Sequence, residues 1–118
     1  MTARKRGVTL AALRKIALAL PGVEEGTSYG TLAFKVRKKL MARLREDDVT
    51  LVVKSDWDER DTLMETDPKT FFITDHYRDY EWVLVDLARV SHATLADVLE
   101  GAWRRLASQK MLREYDES

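Results

Sequence analysis

Six cations crowd into residues 35–45: Lys35, Arg37, Lys38, Lys39, Arg43 and Arg45. Cations at that density do one kind of chemistry well, the neutralisation of phosphates. The residues around them alternate. Leu32, Phe34 and Val36 point one way, and Leu40, Ala42 and Leu44 form the next apolar set. Pairing Val36 with Leu40, Phe34 with Ala42 and Leu32 with Leu44 keeps both sets on one face. Arg37-Lys38-Lys39 is then a three-residue hairpin loop. Lys35 and Arg43 project from the opposite face with Met41, and Arg45 lies beyond them. A two-stranded ribbon of this kind fits the major groove of duplex DNA. The competing reading is a solvated ribbon whose charges protect a sheet edge.

A second group of chemistry-bearing side chains lies in Asp75-His76-Tyr77-Arg78-Asp79-Tyr80-Glu81, between two apolar runs. His76, Tyr77 and Arg78, with Tyr80, could stack on bases or grip a phosphate as secondary contacts. They could equally seal the end of the sheet with their rings, and the acids beside them favour that structural role. Gly26-Thr27-Ser28-Tyr29-Gly30 is rich in hydroxyls but lacks the Gly-Lys-Ser/Thr of a phosphate loop, so it reads as a bulged lead-in to the first strand. Asp56, Asp58, Glu59, Asp61, Glu65 and Asp67 cluster in a helical stretch. Acids at a helix N-terminus are favoured by the dipole alone, and no metal is assigned. The chain has no cysteine and only two histidines, His76 and His92, and no nucleophile–base grouping can be assembled from spacing. The expectation is a protein that is not an enzyme and uses no cofactor.

The formal net charge is zero, which argues against a generic nucleic-acid binder. The distribution is uneven. Residues 1–45 hold eleven Lys or Arg against two Glu, a net of +9; residues 46–118 hold nine against eighteen acids, a net of −9. The halves make a bipolar field if they occupy different faces, and cancel if folding interleaves them. No apolar run approaches the roughly 20 residues of a membrane span. The start, Met1-Thr2-Ala3-Arg4-Lys5-Arg6, is basic and leads into an amphipathic stretch unlike a signal-peptide core. A cytoplasmic protein is expected.

The elements that must hold these groups follow from periodicity. Leu10, Leu13, Ile16, Ala17 and Leu20 predict a helix from about Thr9, ended by Pro21-Gly22. The basic hairpin and a strand at 49–54 make a three-stranded meander. Ser55 and Asp56 can cap a helix running to about Glu65. Short strands follow at Phe71–Thr74 and Trp82–Leu87. Leu95, Val98, Leu99, Ala102, Trp103 and Leu106 predict a last helix, with Thr94 and Asp97 as its capping box. The prediction is one α+β domain over residues 1–118: two layers, an antiparallel five-stranded sheet with helices on one face, order α-β-β-β-α-β-β-α. Residues 1–7 read as a flexible basic arm, and 108–118 as a flexible polar tail with Met111, Leu112 and Tyr115 as anchors.

Several segments together carry a family resemblance: Leu20-Pro21-Gly22-Val23-Glu24-Glu25-Gly26-Thr27-Ser28-Tyr29-Gly30, Ala33-Phe34-Lys35-Val36, Phe71-Phe72-Ile73-Thr74, His76-Tyr77-Arg78 with Tyr80, Trp82-Val83-Leu84-Val85, and Ala102-Trp103-Arg104. Over nearly its whole length the chain resembles the MmcQ/YjbR family. The resemblance implies a CyaY-like or secretion-chaperone-like fold. It also implies DNA binding, a label drawn from likeness to a double-wing DNA-binding domain. The chain departs from the family pattern at Lys38, where a Gly is common, at Asp75, where a Pro is common, and at Asp79-Tyr80-Glu81, where Gly-Tyr-Pro is common. The expected ligand is double-stranded DNA on the basic hairpin face; the alternative is an acidic protein partner docked on the same face.

Overall fold

The long apolar stripe becomes α3 (His92–Leu106) in a computed structural model that describes residues 7–118. Leu95, Leu99, Ala102 and Trp103 on that stripe are fully buried. Its cap differs from the expected pair: Ser91 Oγ accepts from the Thr94 N–H at 3.1 Å. Helix α1 (Leu10–Leu18) starts at the expected Thr9, whose hydroxyl accepts from Ala12 N–H. The Arg4-Lys5-Arg6 arm lies outside the described residues.

Among the described residues the sheet has six strands, not five. They are β1 (Val23–Ser28), β2 (Thr31–Val36), β3 (Lys39–Leu44), β4 (Thr50–Lys54), β5 (Phe71–Phe72) and β6 (Trp82–Asp86). All pairs are antiparallel, in the spatial order β1-β2-β3-β4-β6-β5. The unexpected strand is β1, in the segment read as a lead-in. It is an edge strand, exposed along Glu24–Thr27, so it carries none of the alternation that marks a half-buried strand. Among the described residues there are also four α-helices rather than three. Besides α2 (Trp57–Thr66), α4 (Gln109–Glu117) forms where a polar tail was expected. Ser108 caps α4, and Met111, Leu112 and Tyr115 pack on the core.

The basic hairpin is wound differently from the expected register. Phe34 does face Ala42, but Val36 pairs with Lys39 and Lys35 with Leu40. The loop is therefore two residues, Arg37 and Lys38, both left-handed with φ of 53° and 68°. Such turns match the twist of the strands but suit Asn-Gly, because a Cβ crowds the backbone at positive φ. Met41 is the residue left over, a bulge between the Lys35–Leu40 and Phe34–Ala42 pairs. The bulge turns Met41 into the core, fully buried, and frees Leu40 for the other face. Replacing Lys38 alone with Gly, which keeps the Arg37 side chain in place, is expected to stabilise the fold by about 1 kcal/mol. A rise of several degrees in Tm would register it, and an unchanged or lower Tm would contradict the turn geometry.

Helices cover one face, over Phe34, Ala42, Leu44, Leu51, Val53, Val83 and Val85. The opposite row runs Ala33–Arg43–Val52–Leu84–Phe72 across five strands. The strand order also answers the charge question. Strands from the basic part (β1 to β3) lie at one end of the sheet, and those from the acidic part (β4 to β6) at the other. Among the described residues, one ion pair, Arg43–Glu46 at 3.8 Å, joins a cation of residues 1–45 to an acid of residues 46–118. The two parts are not interleaved within the sheet.

Candidate functional site

The open face of the sheet carries a recess, and the insert builds its wall. After β5 the chain turns through a short 3-10 helix, Asp75–Tyr77, and reaches β6 across the sheet. His76, Tyr77 and Tyr80 from this segment face Trp82 of β6, Val52 of β4, Leu40 and Arg43 of β3, and Tyr29 from the β1–β2 turn. The cavity they line is about 240 Å³. His76 meets Tyr77 edge-on at 4.7 Å and lies tilted to Tyr80 at 6.3 Å.

Arg43 is the charged group of the recess. Its side chain is only 12% exposed. The guanidinium donates to Tyr77 Oη at 3.3 Å, to Leu44 O at 3.4 Å and to Thr31 Oγ1 at 3.5 Å, and lies 5.2 Å from the centroid of the Tyr29 ring. Charge-assisted bonds to an anion run near 2.8 Å, so each of these contacts is long. Arg43 is oriented but keeps donor capacity for an anion.

Arg60 of α2 holds the wall. It is 7% exposed. It donates to the backbone oxygens of Tyr77 (3.0 Å), Tyr80 (2.9 Å) and Arg78 (3.2 Å), and its guanidinium lies 4.7 Å from the centroid of the Trp57 ring. Three carbonyls of an irregular loop thus converge on one buried cation, which answers the loop's demand for backbone partners.

The six hairpin cations do not share one face. Lys35 and Arg43 share the open side, as the alternation predicts. Arg37 instead reaches the helical layer, donating to Leu106 O at 3.3 Å at the C-terminal end of α3, where a cation meets the negative pole. Lys39 pairs with Val36, a core residue, and so starts from the helix-side row. Lys35 is registered with Glu24, and Lys38 shares a shallow dish with Glu24 and Glu25. Arg45 is half-buried, and its charge acts on Asp47. Of the secondary contacts, His76 and Tyr77 line the recess, whereas Arg78 is paired with Asp75 at 2.6 Å. Lys54, which sequence reasoning passed over, lies 5.3 Å from the Trp82 ring centroid, on the same side as Val52. Tyr29, Leu40, Val52 and Trp82 were also missed as site residues. The Tyr29-Gly30 step, with a Gly fit for positive φ, was the one available signal for Tyr29.

The two imidazoles line different cavities: His76 the aromatic recess, His92 a groove between α1 and the β3–β4 turn. Among the described residues no group of three or more His, Cys, Asp or Glu could hold a metal ion. No helix among them is long and apolar enough to cross a membrane.

The family model described as YjbR matches residues 18–105. The chain belongs to the YjbR family. That span holds the whole sheet and the recess, and leaves out α4. A crystal structure of a Deinococcus radiodurans protein with a DUF419 domain is similar to this chain, at 22% identity and a TM-score of 0.73. The alignment covers 97% of this chain and 91% of that one. The likeness supports the six-stranded fold of this YjbR domain. A comparison with curated proteins found no match.

Two carboxylates at the start of α2 have pKa values shifted in opposite directions. Asp56 caps α2 by accepting from Glu59 N–H at 2.7 Å and meets Arg105 at 2.8 Å. The Arg105 hydrogen bond, then the Glu59 N–H, hold its carboxyl below the ordinary value near 3.9. A lowered folded pKa means stability that is present above the ordinary value and lost as pH falls through the folded one. Glu59 runs the other way: burial raises its pKa, so its charge costs stability at neutral pH and acid relieves that cost. Asp56→Asn keeps a capping oxygen but loses the charge pair. It is expected to cost about 0.5–1 kcal/mol at pH 7. That difference from wild type should shrink in thermal melts as pH falls below the ordinary carboxylate range and through the lowered folded value; a constant difference would contradict the linkage.

Proposed function

We propose that this protein is a small non-enzymatic DNA-binding domain that meets its ligand with the open face of its sheet. The observation that carries the reading is the recess itself: aromatic rings and a poised Arg43 on a face flanked by Lys35, Arg45 and Lys54. Aromatic platforms beside cations are the physical requirement for holding nucleic acid without reading its sequence. The polarised charge supports the same face, because β2 and β3 stand at the basic end of the sheet. Lys35, Lys38, Lys39 and Arg45 make no ion pair among the described residues, which leaves the hairpin able to attract phosphates. Arg37 is not part of the proposed contact, since it serves the end of α3.

A second reading has an observation of its own. Glu24 lies opposite Lys35, and Glu46 lies 3.8 Å from Arg43, so acids interrupt the basic surface. A mixed surface suits a protein partner better than a long duplex footprint. Salt dependence separates the two. Four phosphate contacts through Lys35, Arg43, Arg45 and Lys54 predict a log–log slope of about −3.6 on duplex DNA and about −2.8 on a single strand. Lys35→Glu with Lys54→Glu should weaken DNA binding at least tenfold without changing Tm greatly. A slope near zero, or affinity indifferent to the double charge reversal, would remove DNA as the ligand of this face.

A further inference from the structure

We infer that the aromatic recess is a pocket for one unpaired base, and that the protein therefore prefers single-stranded nucleic acid to duplex. The inference rests on the nucleic-acid reading above and gives its site a substrate class. Four observations carry it. The cavity of about 240 Å³ is smaller than the clefts of roughly 300–1,000 Å³ that take drug-sized molecules, and suits a single planar ring. Its walls carry four aromatic side chains, Tyr77, Tyr80, Trp82 and His76, and aromatic rings stack on any base. Arg43 sits in the recess with only long bonds to protein atoms, ready for the phosphate beside a docked ring. A base stacked and paired within a duplex cannot enter such a recess; it must first leave the helix.

Tyr29 is the fourth observation. It occupies a left-handed position, φ 54°, where Gly or Asn would suit the turn better. It is 86% exposed, so its ring contributes little to the core. What the ring does is lie over the Arg43 guanidinium at the rim of the recess. That is a poor placement for folding and a good one for closing over a bound ring.

The test is a calorimetric titration at about 50 mM salt, the regime in which phosphate contacts are strong. Three probes of equal length are compared: a mixed-sequence ten-nucleotide single strand, the same strand made abasic, and the corresponding duplex. The strand is expected to bind at least tenfold more tightly than either of the others. Tyr80→Ala should weaken strand binding about tenfold to a hundredfold and leave the abasic probe unchanged. Tyr80 is 57% exposed, so the variant should stay folded, which its melting curve checks. Equal affinity for strand and abasic probe, or indifference to Tyr80→Ala, would overturn the base pocket while leaving phosphate binding intact. Failure of all three probes to bind would overturn the pocket and the nucleic-acid reading together. An acidic aromatic peptide that outcompetes the strand and responds to Tyr80→Ala would assign the recess to a protein partner instead.

Discussion

Arg60→Ala is expected to destabilise the protein by about 3 kcal/mol and to abolish ligand binding at a recess it does not line. The stability term follows from burial and bond count. Hydrogen bonds from a charged donor are each worth roughly 1.5–3 kcal/mol net, and Arg60 makes three, to Tyr77, Tyr80 and Arg78 carbonyls. Water can reach some of the freed carbonyls near the surface, which keeps the total below the sum. For a domain of this size the loss corresponds to a fall of about 10 °C in Tm. The binding term follows from position. His76, Tyr77 and Tyr80 belong to a segment with one 3-10 turn and no strand pairing of its own between β5 and β6. Without the shared cation its rings lose their fixed relation to Arg43 and Trp82. Arg60→Lys separates the two terms. An ammonium keeps the charge but cannot fork to three carbonyls, so part of the stability should return while affinity stays low. An Arg60→Ala protein with wild-type Tm, or one that binds normally, would contradict the assigned role.

Trp103→Ala should be the most destabilising single change, at about 4 kcal/mol. Trp103 is fully buried in α3, and its indole N–H donates to Pro21 O at 2.7 Å. Its ring packs on Tyr115 of α4 at 4.8 Å. One side chain therefore joins α3, the turn between α1 and β1, and α4. Trp103→Phe isolates the hydrogen bond: most of the ring volume stays while the Pro21 carbonyl loses its donor, for an expected cost of about 1–2 kcal/mol. Denaturant midpoints measure both. The phenylalanine variant carries the test if the alanine variant fails to fold, and a cost near zero for it would show that the Pro21 contact is not stabilising.

Parts of this fold can be read along the chain because their physics is local. The α3 stripe and the Thr9 cap need only neighbours a few residues away. The elements that escaped have non-local causes. Strand β1 has one apolar residue at its start, Val23, and is a strand because β2 offers it a ladder. The Met41 bulge is hidden because Leu40, Met41 and Ala42 are all apolar, so either of two phases fits the pattern. Helix α4 reads as a charged tail until Trp103 gives Tyr115 a surface to pack on. The site shows the same division. Arg43 and Lys35 were assigned to the open face by alternation alone. The recess was not legible, because it is made where the 75–80 insert crosses β3 and β4, far from it in sequence. Arg60 gave no signal either: an arginine among Asp58, Glu59 and Asp61 reads as one more solvated charge.

If nucleic acid meets the open face of the sheet at the aromatic recess, backbone amide shifts followed by NMR during titration with a ten-nucleotide single strand will locate it there. The predicted result is saturable shifts clustered at Tyr29–Thr31, Leu40–Arg43, Val52–Lys54 and His76–Trp82, with α1, α3 and α4 unmoved. Shifts confined to the helical layer, or none at all at millimolar strand, would contradict it.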